Sequence, residues 1–92
     1  MRYDWDKAKS KANYAKHGIE FRTAALIFDA FHVLSEIDRV VDGEVRWASL
    51  GLVPGTSLLL YVAHTWTDDD VIRIISARKA TTIERRKFED SL

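Results

Sequence analysis

The stretch that decides the fold is Val71-Ile72-Arg73-Ile74-Ile75-Ser76-Ala77-Arg78-Lys79, followed by Ala80-Thr81-Thr82-Ile83-Glu84-Arg85-Arg86. Its first part is rich in β-branched residues, which predicts a strand buried on both faces of a sheet. Thr81 and Glu84 have the spacing of a capping box, which predicts that a helix begins there. A strand end, basic side chains and a helix start thus lie within a few residues of each other, an arrangement suited to holding a phosphate.

The two arginines of this strand admit a functional and a structural interpretation. In a regular strand Arg73 and Arg78 point to opposite faces, so they share a face only if a bulge or the strand end re-aims one of them. In the structural interpretation, Arg73 pairs with a carboxylate in the core and Arg78 extends its charged end past the sheet edge. For either arginine alone the structural interpretation is favoured, because lone charged residues near sheets usually serve the fold.

The composition indicates one folded domain spanning residues 1–92. The chain has 92 residues, of which 47% are hydrophobic and 11% aromatic, as in proteins with a packed core. The absence of cysteine excludes disulfides, thiolate zinc sites and a cysteine nucleophile. The longest apolar run, Leu58 to Ala63, is too short to span a bilayer, and no apolar signal segment follows Met1. We therefore expect a cytoplasmic protein without membrane contact.

Charge is balanced overall but unevenly distributed along the chain. Residues 1–22 have six basic and three acidic groups, a net charge of +3. Residues 23–70 have two basic and eight acidic groups, a net charge of −6. Residues 71–92 have six basic and three acidic groups, a net charge of +3. If the two ends meet in space, they form one positive face. The alternative, equally weighted, is that these charges only solvate two terminal helices.

The order of the predicted elements gives the fold class. The expected elements are a strand at Tyr3–Trp5, a helix at Lys7–Lys16 capped by Asp6, a short helix at Phe21–Phe28, strands at His32–Ile37, Glu44–Val53, Ser57–Trp66 and Val71–Lys79, an acidic turn at Asp68-Asp69-Asp70, and a helix at Thr82–Asp90. This pattern predicts an α+β domain: a small antiparallel sheet of about four to five strands, packed by two N-terminal helices and one C-terminal helix. In the first helix, Ala8, Ala12 and Ala15 are expected to face the sheet.

The available chemistry points to RNA. No metal-ligand spacing, phosphate loop or dinucleotide motif is present, so no metal and no cofactor are predicted. What remains is a set of basic residues interleaved with aromatic ones, and this combination suits single-stranded RNA. The candidate RNA-binding residues are Lys7, Lys9, Lys11, Lys16, Lys79, Arg85, Arg86 and Phe88.

Motifs spread over nearly the whole chain resemble the BrnT family of toxins. They are Trp5-Asp6, Lys9, Asn13, Lys16-His17-Gly18-Ile19 and Phe21, then Glu44, Arg46-Trp47 and Gly51, and finally Arg73-Ile74-Ile75-Ser76-Ala77-Arg78-Lys79-Ala80 with Glu84-Arg85-Arg86. The Ile-Ser-Ala-Arg segment is the most specific of these. The resemblance implies a RelE-like fold, RNA cleavage that blocks translation, and neutralisation by a BrnA-type antitoxin. It also implies that operator DNA is bound only through the antitoxin complex.

One position departs from the family pattern. Near the C-terminal end, where this family often has a tyrosine, the chain has Phe88. A phenyl ring can stack on a base but cannot transfer a proton. Any catalytic hydroxyl must therefore be absent or supplied from elsewhere.

The hypothesis that follows is a metal-independent endoribonuclease that cuts mRNA. Cleavage by the 2′-hydroxyl needs a base, an acid and positive charge at the pentavalent phosphorus. Arg78, Arg73 and Arg46 are the candidates for that charge. The candidate bases are Glu44 and Glu84, and the candidate acids are His64 and Lys9. The alternative function is a non-catalytic module that binds nucleic acid or a protein through a basic face.

Overall fold

The computed structural model describes residues 1–68 and 70–92, apart from the side chain of Asp68. In chain order the elements are β1 (Arg2–Asp4), α1 (Lys7–His17), α2 (Phe21–Ala25), a 3₁₀ helix (Leu26–Asp29), β2 (Val33–Val41), β3 (Glu44–Leu52), β4 (Leu59–Asp68), β5 (Val71–Lys79) and α3 (Thr82–Asp90). The acidic turn expected at Asp68–Asp70 includes Asp69, which lies outside the described residues. No described helix is both long enough and apolar enough to cross a bilayer.

The predicted α+β class is confirmed, with one difference in the sheet. The five strands are ordered β1-β5-β4-β3-β2, and β2 to β5 form an antiparallel meander. The difference is β1, which pairs in parallel with β5, from Arg2 opposite Val71 to Asp4 opposite Arg73. The helices that follow β1 carry the chain to the opposite edge of the sheet, and the meander then returns it to β5 beside β1.

One face of the sheet, here called the covered face, packs against α2 and the 3₁₀ helix. Phe21, Ala24 and Ile27 from these helices are fully buried against Leu60, Val62, Ile72, Ile74 and Ala77 of the sheet. The contact is close at Gly51, where an added Cβ would lie 3.0 Å from the Cβ of Ile27. This apolar layer is the main core of the domain.

The helix α1 packs differently from the prediction. Ala8, Ala12 and Ala15 are exposed, and the buried residue of α1 is Asn13. Its side chain donates to the carbonyl oxygens of Ile19 and Ala77, 2.8 Å each, and accepts from the Ala77 N–H at 3.2 Å. Because β1 pairs with β5 only as far as Arg73, Asn13 satisfies edge groups of β5 that have no strand beside them. The prediction of an alanine stripe was wrong because polar satisfaction of this edge, not apolar burial, sets the contact.

A β-bulge in β5 determines which side chains share a face. Ser76 lies opposite Ala63 and Ile74 opposite His64, so Ile75 is an extra residue in β5. The bulge reverses the alternation, and Arg73 and Arg78 therefore point to the same side of the sheet. We call this side the open face. The helix α3 covers one end of the open face, where Phe88 packs on Leu50 and Leu59.

Candidate active site

Besides Arg39, which lies opposite Arg46 and 3.5 Å from Asp38, the open face carries three arginines that are each paired with one carboxylate. The pairs are Arg46 with Glu44, Arg73 with Asp4, and Arg78 with Glu84. The carboxylates differ in exposure, since the side chains of Asp4 and Glu44 are 52% and 51% exposed and that of Glu84 is 22% exposed. The first two pairs are surface ion pairs that contribute little free energy, whereas the third is partly enclosed.

Arg78 is held from two sides. Its Nη1 and Nη2 donate to Oε1 and Oε2 of Glu84 at 2.7 and 2.9 Å, and its guanidinium carbon lies 4.1 Å from the centre of the Tyr61 ring. Fork-to-fork pairing and ring stacking together fix both the position and the plane of the group. The structural interpretation had the charged end of Arg78 extend past the sheet edge, whereas the structure holds it against Glu84 and Tyr61.

The pairing nevertheless leaves one edge of the guanidinium available. Nη1 also donates to the Lys79 carbonyl at 3.2 Å, so both of its hydrogens are used. Within the described residues, the Nε–H and the second Nη2–H of Arg78 meet no acceptor. These two N–H bonds lie side by side on the edge away from Cδ, which is the geometry that binds two oxygens of a phosphate.

Glu84 acts as a support rather than as a base. It closes the predicted capping box of α3, since its Oε1 accepts from the Thr81 N–H at 2.9 Å and its own N–H donates to Thr81 Oγ1 at 3.1 Å. The hydrogen bonds from Arg78 and the capping contact lower the pKa of Glu84 to about 2. A carboxylate this weakly basic is unsuited to general-base catalysis near neutral pH.

A small groove beside Arg78 contains groups that the sequence hypothesis did not include. Its volume is about 90 Å³, and it is lined by Leu34, Glu36, Ala48, Leu50, Tyr61, Glu84 and Lys87. Lys87 Nζ of α3 lies 2.7 Å from Glu36 Oε2 of β2. These two residues are 51 positions apart, so no local motif connects them. The signal available in the sequence was the alternation of β2, which places Leu34 and Glu36 on one face.

His64 does not belong to the candidate site. It lies opposite Ile74 on the covered face, with 1% of its surface exposed, and its Nε2 is 2.7 Å from Ser49 Oγ. Its ring contacts Phe28 edge-on at 5.0 Å between centroids. Burial lowers the pKa of His64 to about 4, so the imidazole is neutral at pH 7. The proposed role as catalytic acid was wrong, because the pleat turns this side chain into the core.

Phe88 was placed among the RNA-binding residues, and the structure contradicts this. Its side chain is 3% exposed, between α3 and the sheet. Its ring centroid lies 5.4 Å from that of His32. A ring enclosed in this way cannot stack on a base.

The remaining basic residues lie on exposed surface. Lys79, Arg85 and Arg86 surround the start of α3, where Arg85 donates to the Ser57 carbonyl at 3.2 Å. The four lysines of α1 are exposed, and α1 lies along the β5 edge of the sheet. Lys7 and Lys11 line a surface cavity of about 300 Å³ with Trp5, Ser10, Tyr14 and Glu20. Lys79 therefore ends the strand that α1 packs on, whereas α3 lies across the open face toward β3 and β2.

The residues that a metal ion would need are not gathered in the part of the chain that the structure describes. No group of three or more His, Asp or Glu side chains lies close enough there to bind one.

One of the comparisons with known proteins identifies the family, and a second agrees with it in fold. A family model described as "Ribonuclease toxin, BrnT, of type II toxin-antitoxin system" matches residues 5–84. The chain is also similar in fold to the crystal structure of the Brucella abortus ribonuclease toxin BrnT, with 21% identity and a TM-score of 0.64. That alignment covers 89% of this chain and 99% of the Brucella chain. A comparison with curated proteins finds no match. The match over most of its length shows that the chain belongs to the BrnT family of ribonuclease toxins of type II toxin–antitoxin systems.

Proposed function

We propose that this protein is an endoribonuclease that cuts mRNA without a metal ion and thereby stops translation. The observation that carries the proposal is the open face, where the bulge at Ile75 sets Arg73 and Arg78 on the side that also holds Arg46. Guanidinium groups can supply the positive charge that a metal otherwise brings to a pentavalent phosphate. Arg78, held by Glu84 and Tyr61, offers its Nε/Nη2 edge to that phosphate.

The proton transfers are assigned to the groove beside Arg78. We assign the base role to Glu36, whose carboxylate takes the proton of the 2′-hydroxyl as the oxygen attacks phosphorus. Lys87, 2.7 Å from Glu36, gives a proton to the departing 5′-oxygen. The products are a 2′,3′-cyclic phosphate and a 5′-hydroxyl end. Both residues line one cavity with Tyr61 and Glu84, the two residues that contact the Arg78 guanidinium, and this proximity supports the assignment.

The protein partner is proposed to be a BrnA-type antitoxin. A type II toxin is silenced by a protein, so membership of the family implies such a partner. We propose that a segment of the antitoxin covers the open face and competes with RNA there. Operator DNA is then bound only by the complex, through the antitoxin.

The direct test is incubation of RNA with the purified protein in excess EDTA. We expect new 5′-hydroxyl ends and cyclic phosphates, and we expect saturating BrnA-type antitoxin to suppress them. Cleavage that is lost in EDTA and restored by one divalent ion contradicts the metal-independent mechanism. If no new ends form at high protein concentration, the catalytic proposal fails and RNA or protein binding alone remains.

Glu36→Gln and Lys87→Met test the assignment of the two proton carriers. Each variant should lower cleavage roughly 10²–10⁴-fold, the usual contribution of a positioned acid or base. The matched controls are Glu89→Gln and Arg22→Met, exposed helix positions that make the same charge changes outside the groove. Equal activity of the test and control variants would remove Glu36 and Lys87 from the mechanism.

A further inference from the structure

We propose that Arg46, Thr65 and Arg73 form a second phosphate subsite on the open face, separate from the position held by Arg78. The inference rests on the proposed function, because it assigns a place to the RNA that this function requires. It gives Arg46 and Arg73 a role in binding rather than in the chemical step. It also adds Thr65, a residue that no motif in the sequence distinguishes.

The register of the strands places these residues in one row across the sheet. Thr65 of β4 lies directly opposite Arg73 of β5. On the other side, Trp47 of β3 lies opposite His64, so the preceding residue Arg46 is next to Thr65. All three side chains point to the open face, because Trp47 and His64 point to the covered one. Two guanidinium groups therefore flank one hydroxyl.

Unsatisfied polar atoms distinguish this row from the rest of the open face. Thr65 is 1% exposed, and its Oγ1 has no hydrogen-bond partner among the described residues. Arg46 Nε is likewise buried without one, since it lies 3.3 Å from Glu44 Oε1 but is not aligned for a hydrogen bond. Buried polar groups in native proteins are nearly always paired, and exceptions require an explanation. A phosphate oxygen supplies the acceptor that both donors lack.

The carboxylates at this row are held weakly enough to be replaced. Asp4 and Glu44 are each about half exposed, and neither has a capping contact of the kind that fixes Glu84. Exposed ion pairs contribute little, so Arg46 and Arg73 can exchange these partners for a phosphate at low cost. The flexible guanidinium groups that flank Thr65 move in the same exchange and admit the phosphate oxygen to its hydroxyl.

The distance between the two positions defines the footprint of the RNA. The Arg78 guanidinium stacks on Tyr61. Tyr61 and Thr65 are four residues apart on β4, which separates them by about 13 Å. Between them the floor of the open face is formed by small residues, Ala48, Ala63 and Ser76. This low floor leaves room for the sugars and bases of a short single strand that runs along β4. A dinucleotide is too short to engage both ends, whereas a hexanucleotide engages both.

The test uses 2′-deoxy oligonucleotides, which bind but lack the attacking hydroxyl. Binding of a fluorescent hexanucleotide and of a dinucleotide is measured for the parent, Thr65→Val and Arg46→Ala. We expect both variants to bind the hexanucleotide about tenfold more weakly, the effect of losing one hydrogen bond to a charged group, and the dinucleotide as the parent does. The melting temperature of Thr65→Val should not fall, because its hydroxyl has no partner to lose. A purely structural role predicts the reverse: lower stability with unchanged binding.

Two further variants should tighten binding. Asp4→Asn and Glu44→Gln remove the competing carboxylates, and each should bind the hexanucleotide more tightly than Glu89→Gln, which changes the net charge equally. Thr67→Val, at an exposed threonine of the same strand, is the control for Thr65→Val. If the parent binds the hexanucleotide and cleaves RNA while Thr65→Val and Arg46→Ala bind it as tightly, the subsite is wrong and the proposed function stands. If the parent binds no oligonucleotide, both fail.

Discussion

Arg78 shows how one residue serves the fold and leaves part of itself for a ligand. Its Nη1 and Nη2 atoms donate hydrogen bonds to Glu84, and one face of the guanidinium stacks on Tyr61. The edge formed by Nε–H and the second Nη2–H is left for a ligand. The structural and functional interpretations of the sequence are therefore compatible for this residue. The ion pair holds the group in place, and the remaining edge can bind.

Arg78→Ala should lower RNA cleavage roughly 10²–10³-fold, the usual cost of removing one preorganised donor. Stability should also fall, by about 1 kcal/mol, because the stacking contact with Tyr61 is lost. Arg78→Lys keeps the charge but not the fork, so its cleavage should remain low. Single-turnover cleavage and urea unfolding measure the two effects, with Arg22→Ala as the control at an exposed arginine of α2. Cleavage by Arg78→Ala at the parent rate would show that Arg78 serves only the fold.

His64 provides a prediction for the pH dependence of stability. Its pKa in the folded state is about 4, against an ordinary value of 6.5, because burial disfavours the imidazolium. Between about pH 6.5 and 4 the unfolded chain binds a proton that the folded chain does not, so the free energy of unfolding falls as pH falls. The loss should approach about 3 kcal/mol at pH 4.

The measurement is urea unfolding of the parent and of His64→Gln across this pH range. Gln keeps a hydrogen-bonding group beside Ser49 but does not titrate, so the variant should show a flatter profile. Parallel profiles for the two proteins would mean that His64 protonates without a cost to folding.

At the scale of elements, β5 and the start of α3 form one unit. The bulge at Ile75 turns the side chain of Arg78 to the open face. Glu84, which also forms the capping box of α3, then pairs with the guanidinium of Arg78. The same carboxylate thus begins a helix and orients a side chain on the preceding strand. The start of β5 is fixed by its pairing with β1, and Asn13 satisfies the edge groups of Ala77 nearer the end of the strand.

Thr81→Ala and Glu84→Gln separate the two roles of this unit. Thr81→Ala removes the cap but not the ion pair, and should lower stability by about 1 kcal/mol with little change in the cleavage rate of the folded protein. Glu84→Gln keeps a capping acceptor but weakens the hold on Arg78, and should lower the cleavage rate roughly tenfold, about 1.4 kcal/mol. Circular dichroism melts and single-turnover rates distinguish them. Equal losses of rate in both variants would show that Glu84 acts only through helix stability.

At the scale of the whole molecule, a chain with no net charge presents a basic edge. β1 lies beside β5 in the sheet and α1 packs on β5, so basic residues from both ends of the chain lie on this side of the sheet. This distribution favours the approach of a polyanion at one side of the protein.

RNA binding should therefore weaken steeply with salt. With one phosphate held by Arg46 and Arg73 and another by Arg78, the slope of log K against log salt should be about −1.4 for a single strand. The measurement is a titration of 2′-deoxy oligonucleotide from low to physiological salt, and Arg46→Ala should make the slope shallower. An affinity independent of salt would indicate an apolar binding site instead.

The elements of this fold follow from local patterns in the sequence. The β-branched run of β5, the Asp6 and Thr81 caps and the turn at Gly43 are short-range features, and each places an element within a few residues of where it lies. Each family motif is a short segment, and together these segments indicate the family. Arg78, Arg73 and Arg46 were candidates for stabilising the phosphate charge, and the structure places all three on one face.

Only the tertiary structure decides which side chains meet across the sheet. A single extra residue at Ile75 reverses the alternation, and a period of two cannot reveal where such a bulge occurs. His64 and Phe88 were assigned to the site although both are buried, because which face of a strand or helix packs inward depends on its tertiary neighbours. Glu36 with Lys87, and Arg46 with Thr65 and Arg73, come together through strand register over long sequence distances. Register depends on the packing of the whole sheet, so these groupings have no signature in any one stretch of the chain.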